Sequence, residues 1–465
     1  MALSSTAAIL LVVGLIIGAG VGYAGASMIT GGAKTVTTTI PATGGGSTTI
    51  TQTVTTAVSA ATSAGSSGGA PSGNYTIGIV FPLTSSLSAF GKSFVQGVQL
   101  AVKQLNANLS ASGSNVRFNT VVADDQGTPT GALNAVTNLY TTDHVHVIIG
   151  PLTTAEVQGA LQYAQTNHIL LLPPASSGTS LDIPVFGTPP SYLIRPGQPG
   201  DQFESNALAQ TINDYGMKKA VFIYSSDTSE AGTFNLTSNL LKNDGVQVSG
   251  IEVQPLQSDY TSAVSQANTQ AQQFLSSGGT NNNTAMVLLE HGTDAEEIFT
   301  EASTTSALPN LHWFGIEALN DNLLLNNSAV ASFMTKVHLT ITTLYTPNSP
   351  QGQQFLNAFQ ATYGTPPEPF TNYAYDVAWI AMLSILDAGT DNAQALLPIV
   401  LVVADHFFGS SGTPSYVDPQ TGSQSIAYFA IDMCVQNSSA SPPYEFTQIG
   451  LYNGANNQVT LNNPP

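Results

Sequence analysis

The sequence predicts an α/β protein with two doubly wound parallel-sheet lobes, preceded by an apolar N-terminal helix and a flexible Ser/Thr-rich tether. Three observations carry this. Short uninterrupted apolar runs, as expected of strands covered on both faces, alternate with stretches of helical spacing. The alternation runs from residue 74 to a Pro/Gly-rich passage, RPGQPGD, at 195–201, and starts again at 220. Before residue 74 the composition is of another kind, without a pattern that buries a core.

Residues 7–26 form an uncharged apolar run long enough to cross a bilayer. Ala24-Gly25-Ala26 resembles a signal-peptidase site, so residues 1–29 read either as a retained transmembrane anchor or as a cleaved signal segment. Either way, the remainder of the chain is sent out of the cytoplasm. Residues 30–73 are mostly Thr, Ser, Gly and Ala and read as a linker, with the composition of an O-glycosylated stalk. Asn-x-Ser/Thr sequons at Asn74, Asn108, Asn235, Asn282, Asn326 and Asn437 are candidate N-glycosylation sites of an exported domain.

In the first series, strands are expected at 77–81, 116–123, 145–149 and 169–172. Helices are expected from Lys92, over 131–140 with Thr130 as a cap, and over 155–166. Phe94, Val98, Ala101 and Leu105 recur at helical spacing. The second series has strands at 220–224, 246–253, 285–289 and 311–314. Ligands of such sheets bind beyond the carboxyl ends of the strands. The Ser/Thr-rich loop after Pro82 occupies such a place, between strand and helix.

Composition excludes several functions. The chain has 465 residues, only 8% charged, against roughly 25% in average soluble proteins. Nine basic residues against a net charge of −19 cannot build a phosphate-neutralising patch, which argues against nucleic acid. A single cysteine, Cys434, excludes an internal disulfide framework and a Cys-based metal cluster. No phosphate-binding glycine loop, serine nucleophile elbow or zinc-protease motif occurs, so no enzyme, metal or cofactor is expected. Asp124-Asp125 reads as a turn feature, and His144 and His146 as surface residues. The amide-rich surface suits an acidic exterior, where most carboxylates are neutral.

The stretch IGIVFPLTSSLSAFGKSFVQGVQLAVKQLN resembles the N-terminal signature of type I periplasmic binding proteins of the Leu/Ile/Val-binding kind, the extracellular receptors of amino-acid ABC importers. VVADDQGTPTGALNAVTNL, VIIGPLTTAEVQGA, LLPPASSGTS, YLIRPGQPGDQ, FGIEALND, FLNAFQATYGTPPEPFTNYAYDVAWIAML and YVDPQTGS succeed it in the same order. The resemblance covers about 75–432. It implies lobes that close on a three-strand hinge over a small solute, which is passed to a permease. The lobes would comprise 74–195 with 348–415, and 196–347 with 416–465.

By that resemblance, Thr154 falls on a hydroxyl that binds the ligand carboxylate, with Leu152 and Thr153 beside it, and Ser177 on a second head-group hydroxyl beside Ala175 and Ser176. Glu317 falls on the acid that pairs with the ammonium. Phe90 and Phe370 fall on aromatic cleft walls. Ser229 stands where relatives carry a Tyr-Gly pair, and His291 faces the cleft by topology. Thr154 and Ser177 serve equally as helix caps. The function implied is a membrane-tethered receptor for an amino acid, branched-chain or a related apolar one. The alternatives are a receptor for an amide, urea or short peptide, or a sensory or structural surface protein of the same fold.

Overall fold

The structure, a computed structural model, describes residues 34–41, 47–54 and 73–462, apart from 86, 256, 258, 346–348, 413–414 and 440–441. The apolar run at 7–26 lies outside them. Among the described residues no helix is long and apolar enough to cross a membrane. Within the expected linker, Lys34–Pro41 (β1) pairs antiparallel with Ser47–Val54 (β2). Runs of Thr, Val and Ile favour extended backbone there, where composition alone predicted a tether.

The main body opens with a four-stranded parallel sheet of Asn74–Phe81 (β3), Arg117–Asp124 (β4), Val147–Ile149 (β5) and Leu170–Leu172 (β6), in the order β4-β3-β5-β6. Its helices are Ser88–Ala111 (α1), Pro129–Asp143 (α2) and Thr154–Asn167 (α3). Val80, Ile148 and Leu171 meet Val136 of α2 and Val157 of α3 on one face. Phe94 of α1 meets Phe81 edge-on at 5.4 Å. Burial on both faces explains why the last five residues of β3 read as a continuous apolar run. Helix α2 starts two residues before the predicted position. Thr128, not Thr130, is its cap, accepting from the Gly131 N–H at 3.0 Å. Pro129 supplies the preset φ of a first helical residue and has no N–H to satisfy.

Asp201–Asp214 (α4) leads into the second sheet: Lys219–Ser225 (β7), Thr228–Asn243 (α5), Gln247–Val253 (β8), Thr261–Ser276 (α6), Thr284–Leu289 (β9), Gly292–Ala302 (α7), His312–Gly315 (β10), Asn322–Asn326 (α8), Ser328–Lys336 (α9) and Thr340–Leu344 (β11). The chain then returns to the first sheet with Pro350–Tyr363 (α10), Thr371–Ala388 (α11) and Ala393–His406 (α12). Helix α11 is buried along most of its length and presses on α1. A Cβ on Gly97 of α1 would stand 3.0 Å from the Thr371 carbonyl, so glycine lets the two helices approach this closely without a shift of the neighbour.

A small ladder of Val417–Asp418 (β12) and Ser423–Gln424 (β13) comes next. Tyr428–Gln436 (β14), Tyr444–Asn453 (β15) and Gln458–Leu461 (β16) then complete an eight-stranded sheet, ordered β16-β15-β14-β11-β10-β9-β7-β8. Five of its strands are parallel, and β14–β16 add antiparallel at one edge. The chain therefore passes between the lobes three times, after β6, after β11 and before β14. The first and third passages pair: Arg195 donates its N–H to Gly422 O at 2.7 Å and accepts from Gln424 N at 3.1 Å.

Candidate functional site

The loops beyond the carboxyl ends of the first sheet are fixed by carboxylates. Asp124, at the end of β4, accepts from Leu83 N at 2.8 Å, Thr84 Oγ1 at 2.6 Å and Gln126 N at 2.9 Å. Burial works against its ionised form, but these bonds outweigh that and hold the carboxyl below its usual range. The Ser/Thr loop after β3 is thus lashed to the neighbouring strand. Asp125 is fully buried and accepts from Gly127 N at 3.0 Å. Burial, with the charge of Glu156 second, raises its pKa to about 7.

After β5 the chain turns at Gly150, whose φ of +110° and 2.0 Å virtual Cβ distance to Val80 O exclude any side chain. Thr153 caps α3, and the buried Glu156 accepts from Leu152 N at 3.1 Å and Thr153 N at 2.9 Å, a reciprocal capping box. Thr154 does something else. Its Oγ1 accepts from Gly178 N at 3.1 Å, tying this loop to the one after β6 and leaving its own proton to donate. Leu152 is buried at its base. Ser176, 2% exposed, donates to Leu152 O at 2.8 Å and so acts as an internal strut. Ser177 accepts at its carbonyl from Asp201 N at 2.9 Å, and its side chain bonds the Asp201 carboxylate. Ala175 lies half-buried in the same loop.

Asp201 is the meeting point of the two lobes. It opens α4, is buried, and also accepts from Ser229 Oγ, beyond β7, at 3.3 Å. Burial raises its pKa, opposed by Ser177, Arg195 and Ser229. Arg195 is 1% exposed and donates to Ser176 O at 2.9 Å and Gly178 O at 3.2 Å, and to Asp182 and Ser423 Oγ. One guanidinium therefore holds the loop after β6 against two chain passages.

Glu317 lies just past β10. Its Oε2 accepts from Leu344 N at 2.9 Å, and its N–H donates to Glu204 Oε1 at 3.3 Å. Thr342 Oγ1 donates to the same Glu204 oxygen at 2.8 Å. Burial, then the charge of Glu317 on Glu204 and of Asp201 on both, raises both carboxyls, Glu317 to about 7, so the pair keeps a proton near neutral pH. The sequence led us to expect Glu317 depressed by an ammonium; the groups facing it here are an amide and another acid. Tyr373 of α11 is buried beside Glu317 and stacks on Phe370, ring centres 6.5 Å apart. Phe370, at φ +65°, packs against the cluster that holds Leu344 and Tyr373.

Phe90 is half-buried in the first turn of α1. His291, beyond β9, is exposed and bonds the fully buried Glu290 at 3.2 Å. That bond, with Glu230, Glu290 and Asp227 nearby, raises its pKa to about 9. The structure thus joins Ser177 and Ser229 through Asp201, ties Thr154 and Ser176 into the same pair of loops through Gly178 N and Leu152 O, and brings Glu317 to Phe370 through Tyr373 and Leu344. Asp201, Glu204 and Arg195 are not singled out by the sequence. Their signal was one of only two arginines in the chain, with two acids one helical turn apart close behind it. Among the sequons, Asn74, Asn108, Asn235, Asn282 and Asn326 are exposed, whereas Asn437 is half-buried and donates to Glu445 at 2.8 Å.

Comparison with known proteins supplies the family. An uncharacterized protein of Methanocaldococcus jannaschii is 20% identical over 377 residues, 79% of this chain and 85% of its own length. The fold is shared with the leucine binding protein LivK of Thermotoga maritima, at a TM-score of 0.63 and 20% identity, covering 80% of this chain and 97% of that one. It is shared too with a solute binding protein of an ABC transporter from R. palustris in complex with benzoate, at a TM-score of 0.62 and 15% identity, covering 81% and 96%. Residues 74–398 match the sequence profile described as periplasmic binding protein, and the chain belongs to that family.

Proposed function

We propose that the protein is the solute receptor of an ABC importer on the outer face of the cytoplasmic membrane, and that it binds an amino acid between its lobes. The N-terminal segment tethers it there, or releases it if cleaved. Residues 74–195 with 348–415, and 196–347 with 416–465, are the moving bodies. The observation that carries the reading is chemical polarity across the two lobes. On the first-sheet side Thr154 keeps an unspent hydroxyl proton at the N-terminus of α3, where a carboxylate is favoured. On the second-sheet side Glu317 and Glu204 form an acidic pole. A zwitterion satisfies both ends at once, and only when the lobes are closed. Phe370 and Tyr373 beside Glu317 supply an apolar wall for a branched side chain.

A second reading takes an aromatic acid such as benzoate, favoured by the same ring pair. It leaves the acidic pole without a partner. Calorimetry with leucine and with benzoate separates them. Glu317→Gln weakens leucine binding by about 10- to 100-fold, the range of a hydrogen bond to a charged group, and spares benzoate. Leucine affinity unchanged in that variant refutes the ammonium assignment.

A further inference from the structure

A second concavity lies at the other end of the eight-stranded sheet. Phe314 pairs with Thr340, Thr340 with Met433, and Met433 with Thr447, so these side chains share one face. His312, two residues before Phe314, joins them. Helix α4 covers this face where Leu208 and Ile212 pack on Phe314. The helix stops at Asp214, and the sheet continues past it. The uncovered strip is a trough of about 620 Å3, open on one side and bounded by Tyr215, His312, His338, Met433, Thr447 and Ile449. Among the described residues, no Asp, Glu, Lys or Arg lines it.

Its wall is a run of rings. His312 stacks on Phe314 at 4.5 Å, with Tyr215 at 4.6 Å and His338 at 6.0 Å. Thr340 Oγ1 lies 3.0 Å from His338 O and 3.0 Å from His312 Nε2, and also bonds Tyr215. With its one proton donated to His338 O, it accepts from His312 Nε2, and Nδ1 is then the acceptor of the ring. Burial, then His338, lowers the His312 pKa to about 3, so the ring stays neutral.

We propose that this trough is a second small-molecule site, for an uncharged planar aromatic compound with one N–H or O–H donor, of the phenol or indole class. The volume is that of a small-ligand pocket, the rings match a flat apolar body, and Nδ1 matches one donor. The absence of ionic lining rejects charged solutes, which would lose hydration without recompense. The trough sits at the amino ends of β10 and β11, whereas Glu317 lies past the carboxyl end of β10, so the site does not depend on the interlobe reading.

Indole titrated into the full chain by calorimetry tests this. Saturable one-to-one binding is expected. Thr447→Trp, at an exposed rim position, fills the trough and weakens indole at least tenfold, with an unchanged far-ultraviolet circular dichroism spectrum. Methylating the indole nitrogen removes the donor and costs about tenfold, as for a neutral hydrogen bond. Glu317→Gln leaves indole binding unchanged. No saturable binding, equal binding by Thr447→Trp, or equal binding of the methylated compound overturns the proposal.

Discussion

Replacing Asp125 by Asn should remove most of one pH dependence of the first lobe. Asp125 is fully buried, and its pKa is raised from 3.8 to about 7. Between those values the folded chain holds one more proton than the unfolded chain, so stability falls as pH rises, by about 1.4 kcal/mol per pH unit. The contribution is complete below pH ~4 and gone above pH ~7, a loss of roughly 4 kcal/mol across the window. Asn keeps the acceptor for Gly127 N and cannot ionise. Urea unfolding reads this through Trp379 of α11 in a Trp313→Phe background, since Trp313 lies in the second-lobe core. The variant should match the parent near pH 4 and exceed it increasingly toward pH 8. Parallel stability curves for the two proteins would refute a protonated Asp125.

Other perturbations probe the same geometry. Leucine binding should release a proton near neutral pH, because an ammonium favours the ionised Glu204–Glu317 pair; buffers of different ionisation enthalpy in calorimetry detect it, and affinity should rise with pH. Arg195→Met should cost about 3–5 kcal/mol in urea unfolding, since it leaves Asp182 without its cation, with only the Ser423 hydroxyl, and frees two loop carbonyls. Ser176→Ala should lower stability by about 1–3 kcal/mol, by leaving Leu152 O unpaired, with a smaller effect on leucine affinity than Glu317→Gln. Gly150→Ala should abolish soluble folded protein, judged by circular dichroism, because the added carbon meets Val80 O.

The βαβ rhythm was legible because strands buried on both faces are written almost entirely in apolar residues. Strand β11 is the exception: it reads TITTL, and its buried Thr340 and Thr342 hide it from a search for apolar runs. The antiparallel edge strands β15 and β16 face solvent on part of their length and mix apolar with polar residues. Within the site, Thr154, Ser177 and Glu317 came from resemblance. Asp201 and Glu204 stayed hidden, since acids in a first helical turn are ordinarily solvated complements to the helix dipole. Only the tertiary fold turns them inward against Ser177, Ser229 and Thr342. His312 and His338 lie far apart in sequence and meet through the pairing of β10 with β11.

The buried guanidinium of Arg195 has a consequence for how solute preference evolves. The peptide groups of Ser176 and Gly178 owe their position to a residue on a connecting segment and, through Ser423, to another. An exchange in either connector therefore moves the loop after β6, which on the proposed reading reshapes the socket without touching its contents. Tuning of this receptor toward a new cargo is open to residues that no inspection of the bound molecule's neighbours would nominate.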